Sequence, residues 1–501
     1  MAEASFAGAS YGLNANPGSV TYYGNFGNSA GAALGADSVE ADVELVHRGP
    51  NATLKNLRVV VTTNARGSNS SVTTRKNNAD TAQVATITAS TTGTFSDLSN
   101  TVSVTAGDKL AYKLVIGGAS GNFAAPSITV NRESSGQAAT FWSAIGSGST
   151  TNGGSTRYWG LAGAIGTPGA TESQFQSYAP AGGTLSNLRA YVTAARATNT
   201  TLKTRINGAD GAQSVTLTAS TTGAFEDTTN TDSISSGALI CAATVTGTGT
   251  DTLTISNVSV LYTTTTAGVS ALGAGAASTT LTSGVTGFYS PLGHMRGFTT
   301  ENQAQQIAPF AGTASRMAVI VSANASTATT TMVLRKNGAD TAVTFAIGSS
   351  ATGTFADTTN SVSVSTGDLI CIQGSGANGT VTFRSMSLRY LEATPTGAEV
   401  IVPLSSLTLA GYAPVILTGT NVDVPLSSIT FSGQTPTIAT GANVEVGVST
   451  ITLTAYAPGV GEVVNIIVPL STLVLTANAP TISTPPLSAL ARITLTGRFS
   501  L

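Results

Sequence analysis

The sequence predicts an all-β chain: three tandem jelly-roll-like β-sandwiches followed by a region of short strands in 22-residue units. Three observations carry this. A cassette recurs at intervals of 130 residues, as RKNNAD, TGTFSD and TVSVTAGDKL from Arg75, as RINGAD, TGAFED and TDSISSGALI from Arg205, and as RKNGAD, TGTFAD and SVSVSTGDLI from Arg335. Inside it, apolar and hydroxylated residues alternate with period two, and no helical period is present. Past Tyr390 a different motif returns every 22 residues. The expected domains are residues 1–135, 136–266 and 267–394 for the sandwiches and 395–501 for the repeats.

The lead-in of each sandwich carries an aromatic pair, at Tyr22 and Tyr23, Tyr158 and Trp159, and Phe288 and Tyr289. A β-branched and aliphatic run follows: LRVVVTT from Leu57, LRAYVTA from Leu188 and MAVIVSA from Met317. Such runs, bounded by Asn, Gly and Ser, read as strands. In SVTLTAS, Val215 and Leu217 point one way and Thr216 and Thr218 the other, as in a half-buried strand. Asn207-Gly208 and Asn337-Gly338 signal tight hairpins, whose two central residues need positive φ, and the first copy has Asn77-Asn78 there. Each unit closes on SITV from Ser127, VSVLY from Val258 or MSLRY from Met386, giving about eight short strands, the number of a jelly roll.

In the repeats, Pro403, Pro425, Gly447 and Pro469 are spaced by 22 residues, as are Pro414, Pro436, Pro458 and Pro480. Each unit is expected to be a strand, a Pro-containing turn and a second short strand near Ile416, Ile438, Val460 or Ile482, arranged as a hairpin. A lone hairpin cannot bury its apolar face, so Leu407, Leu409, Ile429, Phe431, Ile451, Leu453, Leu473 and Leu475 are the candidate assembly contacts. Lysine is absent after Lys336, which leaves little charge to keep strand edges apart.

Charged residues make up 9% of the chain, against roughly 25% in ordinary soluble domains. The net charge of −2 excludes an electrostatic nucleic-acid binder. Apolar runs are broken every few residues, so no membrane insertion is expected. The start, MAEASFAGASYG, lacks the basic and apolar regions of a signal peptide. Cys241 and Cys371 occupy the same cassette position in separate domains and are read as small core residues rather than a disulfide.

No catalytic, cofactor-binding or metal constellation emerges. The two histidines, His47 and His294, lack a recognisable partner and are read as exposed loop residues. Asp97, Asp227 and Asp357 each precede an Asn by three residues. Such a loop can supply Ca²⁺ ligands, but one Asp and one Asn are too few, and Asx-turn capping explains the same residues. Arg75, Arg205 and Arg335 recur with Asp80, Asp210 and Asp340, which reads as an ion pair across the hairpin turn. Tyr158, Trp159, Phe288 and Tyr289 are candidate glycan-stacking residues, although aromatics in long sandwich loops also plug the end of the core.

The phrases RKNGAD, TGTFADTTN and SVSVSTGDLI resemble the β-sandwich modules of bacteriophage structural proteins, and VPLSSLTLAGYAPVI resembles a short tandem motif of tailed-phage virion proteins. The resemblance implies a non-enzymatic virion component, a tail fibre or fibre adaptor assembled through its C-terminal repeats. Capsid decoration or a head fibre is the alternative, and a carbohydrate-binding host-surface adhesin a further one. It implies no cofactor, other virion proteins as partners, a homo-oligomer with a trimer favoured, and a host-surface glycan as a further partner. The chain is then made in the host cytoplasm and ends in the virion.

Overall fold

A computed structural model describes the backbone of residues 3–12, 20–25, 29–32, 40–42, 44–118, 120–134, 139–150, 154–164, 167–249, 251–295 and 297–393, and twelve strands between 399 and 482. Side chains are described for Glu40 and Ala41 and, with short gaps, from Glu44 to Ala393. The chain divides into two compact units, Met1–Ala393 and Thr394–Leu501. No α-helix occurs among the described residues.

The third sandwich shows the plan of the first unit. Its strands are, in order, Val269–Leu281; Gly287–Tyr289 with Gln306–Ile307; Gly312–Asn324; Thr330–Lys336; Ala339–Ile347; Gly353–Ala356 with Ser361–Val364; Leu369–Ser375; and Val381–Glu392. The first, eighth, third and sixth form one sheet, and the second, seventh, fourth and fifth form the other. That order defines a jelly roll, and the other two sandwiches repeat it. The alternation read from the sequence is present: Gln213 and Leu217 are buried, Val215 half-buried, and Ser214, Thr216 and Thr218 exposed. Both hairpin-turn residues have positive φ in every copy, 51° and 63° at Asn77-Asn78, 49° and 83° at Asn207-Gly208, 51° and 81° at Asn337-Gly338. Each sandwich has its own apolar core, with Leu54, Ile116 and Val130 in the first, Trp142, Trp159 and Tyr262 in the second, and Tyr289, Phe383 and Tyr390 in the third.

The sandwiches contact one another in a cycle. The eighth strand of the first, Ser127–Ser134, lies against Gln306–Ile307 of the third, where Ser127 Oγ donates to Gln306 Oε1 at 2.9 Å and Gln306 Nε2 to Pro126 O at 3.0 Å. The eighth strand of the third, Val381–Glu392, lies against Ser177–Tyr178 of the second. The eighth strand of the second, Leu253–Thr264, reaches the same region of the first, Asn257 Nδ2 donating to Glu44 O at 3.5 Å. The first strands Glu3–Gly12, Ala139–Thr150 and Val269–Leu281 meet one another, as do the short strands Ser29–Ala32, Gly163–Ala164 and Gly293–His294. Three equivalent interfaces therefore close around one axis, and a single chain forms a pseudo-threefold ring.

The second unit departs from the hairpins expected for it. Each 22-residue repeat contributes three strands, and all pairing is parallel and between successive repeats. Glu399–Ile401, Asn421–Val424, Asn443–Val446 and Asn465–Ile467 form one four-stranded sheet; a second runs through Leu407–Gly411 and a third through Val415–Ile416. This is a parallel β-solenoid with one coil per repeat. Exact sequence periodicity favours it, because parallel stacking sets each residue on its counterpart one repeat away. Leu407, Ile429, Ile451 and Leu473 accordingly share one register row, and Leu409, Phe431, Leu453 and Leu475 another. The second short strand lies where expected; the strand before Pro403, Pro425, Gly447 and Pro469 is additional.

Candidate functional site

Each sandwich has two ends, defined by its loop hydrogen bonds. At one end, the hairpin joining the fourth and fifth strands bonds to the turn before the seventh: Asn77 Nδ2 donates to Asp108 Oδ1 at 2.7 Å, and Asn337 Nδ2 to Asp368 Oδ1 at 2.7 Å. The second sandwich has Ala238 in place of that aspartate, and there Asn207 Oδ1 accepts from Leu239 N at 2.9 Å.

This end is built around Arg75, Arg205 and Arg335. Each donates Nη1 to the aspartate across the turn, Asp80, Asp210 or Asp340, and Nη2 to the turn carbonyl of Asn78, Gly208 or Gly338. Each also meets a glutamate on a 3₁₀ turn of the lead-in: Glu40 at 2.6 Å, Glu172 at 2.8 Å and Glu301 at 3.0 Å. The glutamate bond, with the aspartate bond behind it, raises the guanidinium pKa in every copy. The thiol of Cys241 donates to Glu172 at 3.8 Å and that of Cys371 to Glu301 at 3.5 Å, and burial pushes both thiols up. Both cysteines are free and buried. Three chain segments are thereby pinned to one cation. The glutamates leave no periodic signal in the sequence because they precede the arginine by 35, 33 and 34 residues, outside the fixed interval.

The lead-in aromatics divide by strand alternation. Tyr158 and Phe288 are half-buried and cover the guanidinium groups of Arg205 and Arg335, with ring centroids 5.8 and 6.0 Å away. Trp159 and Tyr289, next in each strand, face the core and are buried. Trp159 Nε1 donates to Thr244 Oγ1 at 3.0 Å, and Tyr289 packs edge-on against Phe383 at 5.5 Å. Neither offers a ring face to a sugar. In the first sandwich it is Tyr23, opposite Lys113, that is in register with Tyr158 and Phe288.

Asp97, Asp227 and Asp357 are Asx-turn residues. Asp357 Oδ1 accepts from Thr359 N at 3.0 Å and Asn360 N at 2.9 Å, and Oδ2 from Thr344 N at 2.9 Å and Asn360 Nδ2 at 2.9 Å. Asp97 and Asp227 repeat the pattern. Burial opposes the charged form of Asp357, yet these donors hold the carboxyl down to about 2. Oxygens so engaged with N–H groups are not displayed to a cation. No group of three or more metal-ligating side chains occurs among the described residues.

His47 is buried, not exposed as expected. It sits between the first two sandwiches, edge-on to Phe141 at 5.9 Å, with Nε2 2.9 Å from Pro50 O. Burial, reinforced by the charge of Arg132, pushes its imidazole down to about 4. The His294 side chain lies outside the described residues.

The opposite end includes the loops 62–69, 88–92 and 117–126 and their counterparts, and in the second and third sandwiches the loop after the first strand, where Gly154 N donates to Gly247 O at 2.9 Å and Gly284 N to Ala377 O at 3.1 Å. Ser90 N donates to Arg66 O at 2.9 Å, Ser220 N to Arg196 O at 2.6 Å and Ser350 N to Ser326 O at 3.0 Å. Arg196, itself buried, donates to Asp251 O at 2.5 Å and Gly249 O at 2.7 Å. Arg66, Arg196 and Asp251 are the only charged residues in these loops. The exposed polar groups of loops 88–92, 218–222 and 348–352 are hydroxyls and backbone.

No family model matches the sequence, and none of the curated proteins is similar to it. Among solved structures, a Paenibacillus xanthan lyase aligns over 57% of this chain at 12% identity with a TM-score of 0.17, and the chain spans 30% of that enzyme. A structure described as the triple jelly roll fold and turret assembly in an archaeal virus aligns over 70% of this chain and 81% of its own at 12% identity, TM-score 0.13. One from Sulfolobus Turreted Icosahedral Virus aligns over 69% and 84% at 13% identity, TM-score 0.14. Superpositions with TM-scores this low carry neither fold nor function across; the jelly-roll assignment rests on the strand order of the chain itself.

Proposed function

We propose that the chain is a non-enzymatic structural component of a bacteriophage virion, a tail fibre or fibre adaptor. The observation that carries this reading is how the recurring polar residues are used. Arginine, aspartate, glutamate and asparagine of all three cassettes bond to one another and to the backbone, which serves rigidity and leaves no paired acid and base facing a shared cleft. A ring of three sandwiches joined to a solenoid is a scaffold of the sort a particle is built from, and the phrase resemblance points to the same class. Partners are other virion proteins. Self-association, expected from the sequence as a trimer, runs through the 22-residue repeats, because the first unit is already closed on itself. Quantitative mass spectrometry of purified particles tests the reading: a fixed copy number per particle is expected, and absence from particles removes it.

Capsid decoration is the second reading, and the pseudo-threefold ring favours it because capsid lattices contain threefold sites. Labelling with an antibody to the first unit separates the two, tail labelling supporting the fibre and head labelling the decoration protein. A glycan-binding role rests on the half-buried Tyr158 and Phe288; a glycan array that shows no binding, or binding that survives Tyr158→Ala with Phe288→Ala, removes it.

A further inference from the structure

The cycle of contacts between the sandwiches has a geometric consequence. The first sandwich touches the third, the third the second and the second the first, each through its eighth strand against the same short strand region of the next. An operation that closes after three steps is a rotation without translation, so equivalent loops stand at one level along the axis. The two ends of the ring are not alike. Both crossovers between sandwiches and the exit toward residue 394 leave from the arginine-centred end, where Ser134 pairs with Ala52, Thr264 with Gly183 and Glu392 with Gly312. Among the described residues, the other end carries loops that close hairpins and sheet corners.

Those loops have one shape in all three copies. Ser90, Ser220 and Ser350 take φ of 55°, 54° and 56°, and Gly93, Gly223 and Gly353 take 122°, 110° and 110°. Each serine is in the left-handed region that a side chain ordinarily avoids. Its amide is bonded to the neighbouring loop. The sequences SerThrThrGly, SerThrThrGly and SerAlaThrGly put Thr92, Thr222 and Thr352 in solvent at equivalent positions. One rigid loop suffices to hold one small ligand; three at one level, related by a threefold axis, match three identical sites on one partner.

We propose that the first unit takes the place of a trimer: a single chain docks along its pseudo-threefold axis on a homotrimeric protein, through the loops 88–92, 218–222 and 348–352. These three loops carry no charged side chain, so the contact is one of hydroxyl and backbone groups with a polar, uncharged partner face, and its strength depends on three simultaneous engagements. The inference rests on the virion reading for where the partner is found.

Particles carrying the full-length chain test it by electron cryomicroscopy with symmetry relaxed, alongside two triple variants. Thr92→Arg with Thr222→Arg and Thr352→Arg alters the proposed face; Ala79→Arg with Ala209→Arg and Ala339→Arg alters exposed positions at the other end. Retention of the wild-type melting temperature shows that each variant folds. One first unit per threefold site is expected, with occupancy falling about tenfold or more for the threonine triple, less for Thr222→Arg alone, and unchanged for the alanine triple. Three first units around each threefold, a seat away from threefold axes, or full occupancy with the threonine triple overturns the inference and leaves the virion reading standing. Absence of the chain from particles overturns both.

Discussion

Arg48 and Glu226, 178 positions apart, face each other across the first and second sandwiches in a two-pronged ion pair, Nε to Oε1 at 2.8 Å and Nη2 to Oε2 at 2.6 Å. The Arg48 side chain keeps a third of its surface in solvent, so the pair is screened. A double-mutant cycle with Arg48→Ala and Glu226→Ala on thermal unfolding is expected to give a coupling of about 0.5–1 kcal/mol that shrinks in high salt.

His47 makes the same interface acid-sensitive. Its folded pKa, pushed down to about 4, lies below the ordinary value of 6.5. The unfolded chain therefore takes up the proton first, and the stability contributed by the neutral ring is whole above pH 6.5 and lost as pH falls toward 4, by up to about 1.4 kcal/mol per unit. Melting temperatures of wild type and His47→Gln measured across this range should converge on acidification; parallel curves would sink the assignment.

Asp357 acts in a lower window. Its carboxyl, held down to about 2, contributes stability that is complete above the unfolded carboxylate pKa and fades as pH falls through the folded one. Asp357→Asn places an amide against four N–H donors and is expected to cost about 2 kcal/mol at neutral pH. Denaturant titration at pH 7 and pH 3 measures it, with a smaller difference at pH 3.

Two glycine positions separate backbone strain from crowding. A Cβ at Gly163, where φ is +89°, would overlap the carbonyl of Gly275 across the ring axis, whereas one at Gly208, at +83°, meets no atom within 4 Å. Gly163→Ala is expected to cost about 3 kcal/mol and Gly208→Ala about 1 kcal/mol. The reverse change, Asn78→Gly, relieves a non-glycine residue at φ 63° and should stabilise the first sandwich by about 0.5 kcal/mol. Calorimetry of the three variants decides all three signs.

For the solenoid, removing residues 421–442 deletes one whole coil and leaves each register row intact, so β-structure measured by circular dichroism should persist with one strand fewer per sheet. Removing residues 421–431 instead sets every later strand half a repeat out of register. Loss of ordered structure is the expected result.

Local features were legible in the sequence where a physical rule links near neighbours. Arg205 and Asp210 face each other across a turn that Asn207-Gly208 announces, and Val215 and Leu217 show their alternation directly. Legibility failed where partners are distant. Glu172 reaches Arg205 from a loop of variable length, Ser127 meets Gln306 across 179 positions, and no periodicity encodes either contact. The burial of His47 between domains leaves no local mark in the sequence. In the repeats, one alternating pattern serves both an antiparallel hairpin and a parallel coil, and only the pairing distinguishes them. Ser90, Thr92 and their counterparts have the look of ordinary turn residues, and nothing in the sequence sets them on one end of a ring.

Joining three sandwiches in one chain also frees them from identity. In an assembly of separate identical subunits every substitution is made three times, and each contact must tolerate its own copies. Here each junction has been tuned alone: an ion pair between Arg48 and Glu226, a Trp142 indole donating to Ala271 O at 2.8 Å, and a neutral bond from Ser127 to Gln306. Acid and salt therefore weaken the seam that holds His47 and the Arg48–Glu226 pair more than the neutral Ser127–Gln306 bond, an uneven response that a strictly symmetric assembly cannot give.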